Sequence, residues 1–267
     1  PKFYKRNGWY YISLPEGGVE RGGQTVLRSR KIYGPYERRV VMPDGSPHQG
    51  GLVELDNGEA WFIGFKSVGH LGRVPMLQPV RWVDDWPVFG DGGRPVMGGK
   101  KPTLPFAAVS HPQVSDEFDA PALAPQWQWN HNPVDEAWSL TARPGWLRLK
   151  GRSATNLELA RNTFTQKLWG LAGSFEVKLD AAALNDGQRA GAAFMSGKFF
   201  TAVGVERSGG ATRFYWEDYV PAPPGTPATN PPSPGQATAG PAMASGPVWL
   251  RGEYRGDTAR LSYSTDG

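Results

Sequence analysis

The chain has 267 residues, including 35 glycines, 25 prolines and 11 tryptophans, with no cysteine and a formal charge of +4. Disulfides, thiolate metal sites and cysteine nucleophiles are therefore excluded. The basic residues are scattered (Arg28, Arg30, Lys31, Arg38, Arg39) rather than gathered into the stripe a nucleic-acid binder needs, and no apolar run is long enough for a spanning helix, so neither a nucleic-acid nor a membrane partner is expected.

The first 90 residues read as β-hairpins. An aromatic-rich run, Lys2-Phe3-Tyr4-Lys5-Arg6, meets Asn7-Gly8 and continues as Trp9-Tyr10-Tyr11-Ile12. Asn-Gly between two such runs signals a tight hairpin, because its turn needs positive φ at the central residues. The pattern returns as Leu52-Val53-Glu54-Leu55, Asn57-Gly58 and Ala60-Trp61-Phe62-Ile63. Gln24-Thr25-Val26-Leu27-Arg28 is matched by Val74-Pro75-Met76-Leu77-Gln78, and Gly34-Pro35-Tyr36 by Asp84-Asp85-Trp86-Pro87. A four-strand unit repeating at about fifty residues is a propeller blade. Two blades cannot close a wheel, and the first copy opens in mid-strand. The expectation is a partial propeller over 1–95, cut at its N-terminal side, so that the lack of a visible leader says nothing about compartment.

Residues 90–112 are rich in Gly, Pro and Lys and read as an exposed linker, placed at 96–114. A second pattern fills 115–267. Its signals are Asp116-Glu117-Phe118, Trp127-Gln128-Trp129, and a hairpin pairing 138–142 with 146–150 across Arg143-Pro144-Gly145. Strands are expected at 162–168, 173–179, 189–195, 199–206, 212–218, 248–254 and 259–264, and one helical turn at Ala181–Leu184. Short alternating strands separated by turn residues predict a β-sandwich. Its last residues, Ser264-Thr265-Asp266-Gly267, call for a following strand. The proline-rich run 221–247 carries no charge and no aromatic residue, and reads as a disordered loop.

Few side chains stand out as chemistry. Glu16, in Glu16-Gly17-Gly18, is the tempting acid, although turn polarity accounts for it. Glu54 reads as an outward strand charge. His48 opens the inner strand of its blade, and is either a buried histidine satisfied by hydrogen bonds or a metal ligand. Arg73 is either a strand-surface arginine or a guanidinium forked onto sugar hydroxyls. Gln24 and Gln49 are candidate substrate-binding amides that could instead satisfy backbone groups. His70, His111 and His131 have no metal-ligand spacing. Asp56-Asn57-Gly58 lacks the later ligands of a calcium loop, and Gly90-Asp91-Gly92-Gly93 precedes no helix, so it is no phosphate cradle.

Pro1–Ile12, Glu16–Val19, Gln24–Ser29, Ile32–Glu37, Pro47–Glu54 and Leu71-Gly72-Arg73 together resemble the later blades of glycoside hydrolase family 43, in its β-xylosidase/α-L-arabinofuranosidase branch. Gln126–Asn130, Ala142–Leu149, Asn162–Lys167 and Asp186–Gly191 resemble that branch's concanavalin-like sandwich. The resemblance implies an all-β chain, a partial five-bladed propeller of about two blades followed by the sandwich, and an oligosaccharide substrate. It implies an inverting exo-glycosidase in which one carboxylate activates water and another protonates the leaving oxygen. The base and the carboxylate that tunes the acid would lie upstream of Pro1, and Pro1 would be the proline of the acid's Glu-Gly-Pro motif. No catalytic residue of the family is then expected in this chain. The resemblance also implies that His48 faces a calcium ion (Ca2+) and that Arg73, with Gln24 and Gln49, binds the sugar. Where relatives carry an aromatic, this chain has Gly22-Gly23. The alternatives are a non-catalytic carbohydrate-binding β-sandwich protein and a structural module of β repeats.

Overall fold

In a computed structural model the chain divides into two compact units, Pro1–Val109 and Ser110–Gly267. The structure describes residues 1–105, 107–111, 113–196, 199–220, 234–244 and 246–267. Apart from one helical turn, α1 (Gly18–Arg21), the regular elements are strands and short 3-10 turns.

The first unit holds two four-stranded antiparallel meanders, the form of propeller blades. The first runs β1 (Lys2–Arg6), β2 (Trp9–Glu16), β3 (Gly23–Ser29), β4 (Glu37–Met42). The second runs β5 (His48–Glu54), β6 (Ala60–Val68), β7 (Gly72–Val83), β8 (Trp86–Phe89). Asn7 and Gly8 take φ of 48° and 73° between paired Arg6 and Trp9, the two-residue turn the sequence asks for. The second Asn-Gly forms a longer turn: only Gly58 is left-handed, at φ 84°, and Gly58 N–H donates to Leu55 O at 2.9 Å. Tyr11, Val26, Val41, Met42, Ala60, Phe62, Val80, Trp86 and Phe89 make the core between the two sheets. Phe62 and Phe89 stack at 4.5 Å, each fully buried and each contributing roughly 1.5–3 kcal/mol by leaving water.

A cation–aromatic ladder joins the sheets at their edge. Arg30 and Arg28 flank the Trp9 ring at 4.0 and 4.3 Å, and Arg28 and Arg39 flank the Trp86 ring at 4.1 and 4.5 Å. Beside it, Asp84 and Asp85 form the β7–β8 turn with φ of 51° and 58°, a conformation side chains seldom adopt. The first sheet holds that turn: Trp9 Nε1–H donates to Asp85 Oδ2 at 2.9 Å, Tyr11 O–H donates to Asp85 O at 2.7 Å, and Arg28 donates to Asp84 O.

The stretch read as a linker is exposed yet tethered. Gln78, 1% exposed, donates from Nε2 to Val96 O at 3.0 Å and accepts from Val96 N–H at 2.7 Å. Glu59 accepts from Thr103 N–H at 2.9 Å, and Asn57 donates to Thr103 O at 3.2 Å. Replacing Gln78 with leucine removes both bonds and strands buried groups, at a cost of about 1–3 kcal/mol. Gln78→Leu is expected to speed tryptic cleavage after Lys100 severalfold. An unchanged cleavage rate would mean the tether is not closed in solution.

The second unit contains a three-stranded sheet and a four-stranded sheet with a core between them. Its first strands are short: β9 (Gln128–Trp129), β10 (Trp138–Ser139), β11 (Arg148–Leu149) and β12 (Phe164–Thr165). The 138–150 hairpin is thus limited to two paired positions, and the strand expected at 162–168 to two residues. Aromatic packing does the work there: Trp127 stacks on Phe164 at 4.4 Å, and Trp129 lies 4.8 Å from Phe164 and 5.5 Å from Trp138. The longer strands are β13 (Ala172–Leu179), β14 (Arg189–Met195), β15 (Phe200–Ser208), β16 (Ala211–Tyr219), β17 (Gln236–Ala242), β18 (Val248–Arg255) and β19 (Thr258–Ser264). They order as β13-β18-β19 and β14-β15-β16-β17, with Val203, Val205, Phe214, Val248 and Leu250 buried between. Ala181–Leu184 forms one turn, closed by Leu184 N–H on Ala181 O at 3.1 Å.

One expectation is corrected. Part of the run read as disordered, 236–242, is β17, the edge strand beside β16. Pro241 sits where the register with β16 shifts, and an edge position at a bulge is where a strand tolerates a residue without an N–H. Residues 221–233 of that run lie outside the described residues.

Candidate functional site

Glu16, Gln24, His48, Gln49 and Arg73 meet at one end of the first unit's two sheets. The loop after β2 is built by glycine: Gly17 and Gly18 take φ of 84° and 82°, α1 makes one turn, and Gly22-Gly23 leads into β3. A Cβ on Gly22 would lie 2.3 Å from Gly18 O and 2.8 Å from His48 Nε2. A Cβ on Gly23 would lie 2.5 Å from Met42 O. This backbone has no room for a side chain at either position.

His48 is 1% exposed beneath that loop. Its Nδ1 lies 2.9 Å from Ser46 O and its Nε2 2.9 Å from Gly18 O. Both ring nitrogens thus sit at hydrogen-bond distance from carbonyl oxygens, and neither is turned toward an open site for a cation. Calcium prefers six to eight oxygen ligands, and among the described residues no three His, Asp or Glu side chains gather into a metal site. His48 in this chain does not fit as a calcium ligand. The arrangement is that of a buried histidine locking the glycine loop onto the second sheet.

Gln24, also 1% exposed, donates from Nε2 to Ser13 Oγ at 2.8 Å and accepts from Gln49 N–H at 3.0 Å. Its amide joins the two sheets. Gln49 takes φ of 56°, and the β5–β6 register slips between His48↔Phe65 and Gly51↔Ile63, so Gln49 and Gly50 form a bulge. Holding a non-glycine residue there costs about 1–3 kcal/mol, and such strain with a bulge gathers where a side chain must be re-aimed. The half-exposed Gln49 amide has no hydrogen bond among the described residues.

Arg73, on β7 opposite Ser67, is exposed and makes no ion pair among the described residues. Its guanidinium carbon lies 5.1 Å from the Phe65 ring centroid, and the Phe65 ring lies 5.5 Å from the His48 ring. His48, Phe65 and Arg73 therefore form a column ending in a charged fork. Phe65 was not foreseen: its signal is its place opposite His48 in the hairpin register.

Glu16 stands at the same end, but Arg38 and Thr25 hold it. Its Oε2 accepts from Thr25 Oγ1 at 2.8 Å and from Arg38 Nη2. The Arg38 hydrogen bond, followed by that of Thr25, pulls its carboxyl below the ordinary glutamate range. A general acid has to be protonated near its working pH, so Glu16 is placed as a structural carboxylate. Glu54 pairs outward with Arg6 at 2.6 Å. His111 and His131 are exposed and His70 half-buried, far from one another in sequence and part of no acidic cluster among the described residues.

The sequence profile of "Glycosyl hydrolases family 43" matches residues 1–87, and that of the "Beta xylosidase C-terminal Concanavalin A-like domain" matches 115–267. The chain belongs to glycoside hydrolase family 43. A "Beta-xylosidase" of Formosa agariphila is 32% identical over 100% of this family 43 chain and 51% of its own length. A "Non-reducing end alpha-L-arabinofuranosidase" of Bacteroides ovatus is 38% identical over 57% of this chain and 32% of its own. Among solved structures, a bifunctional family 43 protein of Bacteroides eggerthii superposes with a TM-score of 0.79 at 33% identity, covering 99% of this chain and 34% of its own. The family 43 chain thus spans between about a third and a half of these relatives' lengths.

Proposed function

We infer that this chain serves an inverting exo-glycosidase that trims xylan- and arabinan-derived oligosaccharides, as a β-xylosidase, an α-L-arabinofuranosidase or both. The observation that carries this reading is the exposed Arg73 fork, raised on Phe65 and His48 beside the strained Gln49, in a chain whose two family patterns stand in propeller-then-sandwich order. A planar guanidinium gripping vicinal hydroxyls fixes the terminal sugar, so that water activated by a base on one side and an acid on the other act on one bond. Gln49 adds a donor and an acceptor at the rim. Gln24 and His48 are positioning residues that hold the bulge and the glycine loop, and no step is routed through a metal.

The catalytic base and acid are supplied outside these residues, since Glu16 is held ionised and tethered. The purified 267-residue chain is therefore expected to release no nitrophenol from aryl β-xylosides or aryl α-arabinofuranosides. The longer protein carrying it is expected to release pentose from chain ends with inverted anomeric configuration, followed by NMR. Turnover by the chain alone that disappears in Glu16→Gln, or a retained anomer, would overturn the assignment.

A further inference from the structure

We propose that the first unit docks head to tail on further copies of this chain, the free side of its first sheet pressed onto the free side of the next copy's second sheet. Alternation along a strand gives each sheet two sides. In the first sheet Tyr11 and Val26 face the core, so the row Phe3↔Ile12↔Leu27 faces the other way. Tyr10 joins that side, its ring 5.9 Å from Phe3, and so does Val40, paired with Thr25. Phe3 is 52% exposed and Val40 50%. In the second sheet Phe62 and Val80 face the core, so the rows Val53↔Trp61 and Gly51↔Ile63↔Leu77 face away from it. Ile63 is 48% exposed, and Val53 and Leu77 are exposed with it. Contiguous apolar surface of this kind marks an interaction site.

The occupant follows from the contact already present inside the unit. Ile12 and Phe62 stand at the same place after their Asn-Gly turns, and so do Tyr11 and Trp61. Within the unit, the Tyr11 side of the first sheet covers the Phe62 side of the second. By the repeat, the bare Trp61 side is the counterpart of the Tyr11 side, and the bare Ile12 side is the counterpart of the Phe62 side. Each copy carries one of each, so the Trp61 side of one copy can meet the Ile12 side of the next as the unit's own sheets meet. Pairing at the edge strands is discouraged instead: β4 opens with Glu37-Arg38-Arg39, all exposed, and β8 contains Pro87.

Such a contact joins two unlike surfaces, so every addition leaves one of each free until a ring closes. Propellers close at about four to eight blades, which with two sheets per copy means about two to four copies.

Light scattering from the 267-residue chain as it elutes from a sizing column, over a range of concentrations, tests the docking. One species of about two to four copies is expected. Phe3→Asp spoils one surface and Ile63→Asp the other, and each variant alone is expected to run as a monomer. An equimolar mixture of the two is expected to give a dimer and nothing larger, because one intact surface of each kind remains. Recovery on mixing also shows that each variant keeps its fold, and Val40→Asp with Leu77→Asp repeats the test at other positions. A wild-type monomer at every concentration would overturn the proposal and leave both surfaces to further sheets of a longer chain. Wild-type assembly by either variant would overturn it too. So would variants of native near-ultraviolet circular dichroism that stay monomeric when mixed, since the wild-type contact would then join like surfaces.

Discussion

Gly50→Ala is expected to unfold the first unit under conditions in which Gly51→Ala leaves it intact. A methyl group on Gly50 would stand 2.0 Å from Ile63 O and 2.6 Å from the Phe62 ring, whereas one on Gly51 would meet only Tyr4 Oη at 3.6 Å. The first collision is with backbone of the paired strand, which cannot swing aside, and with a ring already stacked at 4.5 Å on Phe89. Overpacking a rigid core costs typically 1–3 kcal/mol and more where backbone must move. A loss of about 3 kcal/mol or more is the expected result for Gly50→Ala, against less than about 0.5 kcal/mol for Gly51→Ala. Urea unfolding of the whole chain, followed by near-ultraviolet circular dichroism, makes the comparison. Equal midpoints for the two variants would show that the bulge at Gln49-Gly50 is not present in solution.

Arg73→Ala, in a family 43 enzyme of its relatives' full length that carries these residues, is expected to lower kcat/KM on aryl glycosides by about 10- to 100-fold, the range for a charge-assisted hydrogen bond lost at a bound sugar. Arg73→Lys should recover little, because an ammonium cannot fork onto two hydroxyls. The thermal midpoint should stay within a degree or so, since the side chain is exposed and makes no ion pair among the described residues, its one contact being with the Phe65 ring. A stability loss that parallels the activity loss would reassign Arg73 to support of the Phe65 ring.

How far the sequence discloses this molecule depends on the range of the forces involved. Asn7-Gly8 is legible because its turn is decided by the two residues themselves. The strand at 173–179 is legible because the alternation of Ser174-Phe175-Glu176-Val177-Lys178-Leu179 is local. The run 236–242 was misread because its composition argues for disorder while its pairing partner, β16, lies about twenty residues upstream. The candidate site divides in the same way. Arg73, His48, Gln24 and Gln49 could be named from motifs, and they do gather at one end of the unit. Their duties could not be named, because whether an amide faces a sugar or bridges Ser13 to the Gln49 N–H is fixed by contacts between strands of different sheets. Phe65 escaped notice for that reason, and Asp84-Asp85 is legible in the sequence only as a position of the repeat: each gains its role from what the fold places against it.

The ladder through Trp9 and Trp86 has an optical consequence. Two indoles pressed between guanidinium groups feel a strong fixed field, which shifts and partly quenches their emission relative to the other tryptophans. Trp86 is flanked only while the sheets of the first unit remain docked, since Arg28 and Arg39 reach it from the other sheet. Its emission is thus a built-in gauge of blade separation, one that needs no added label.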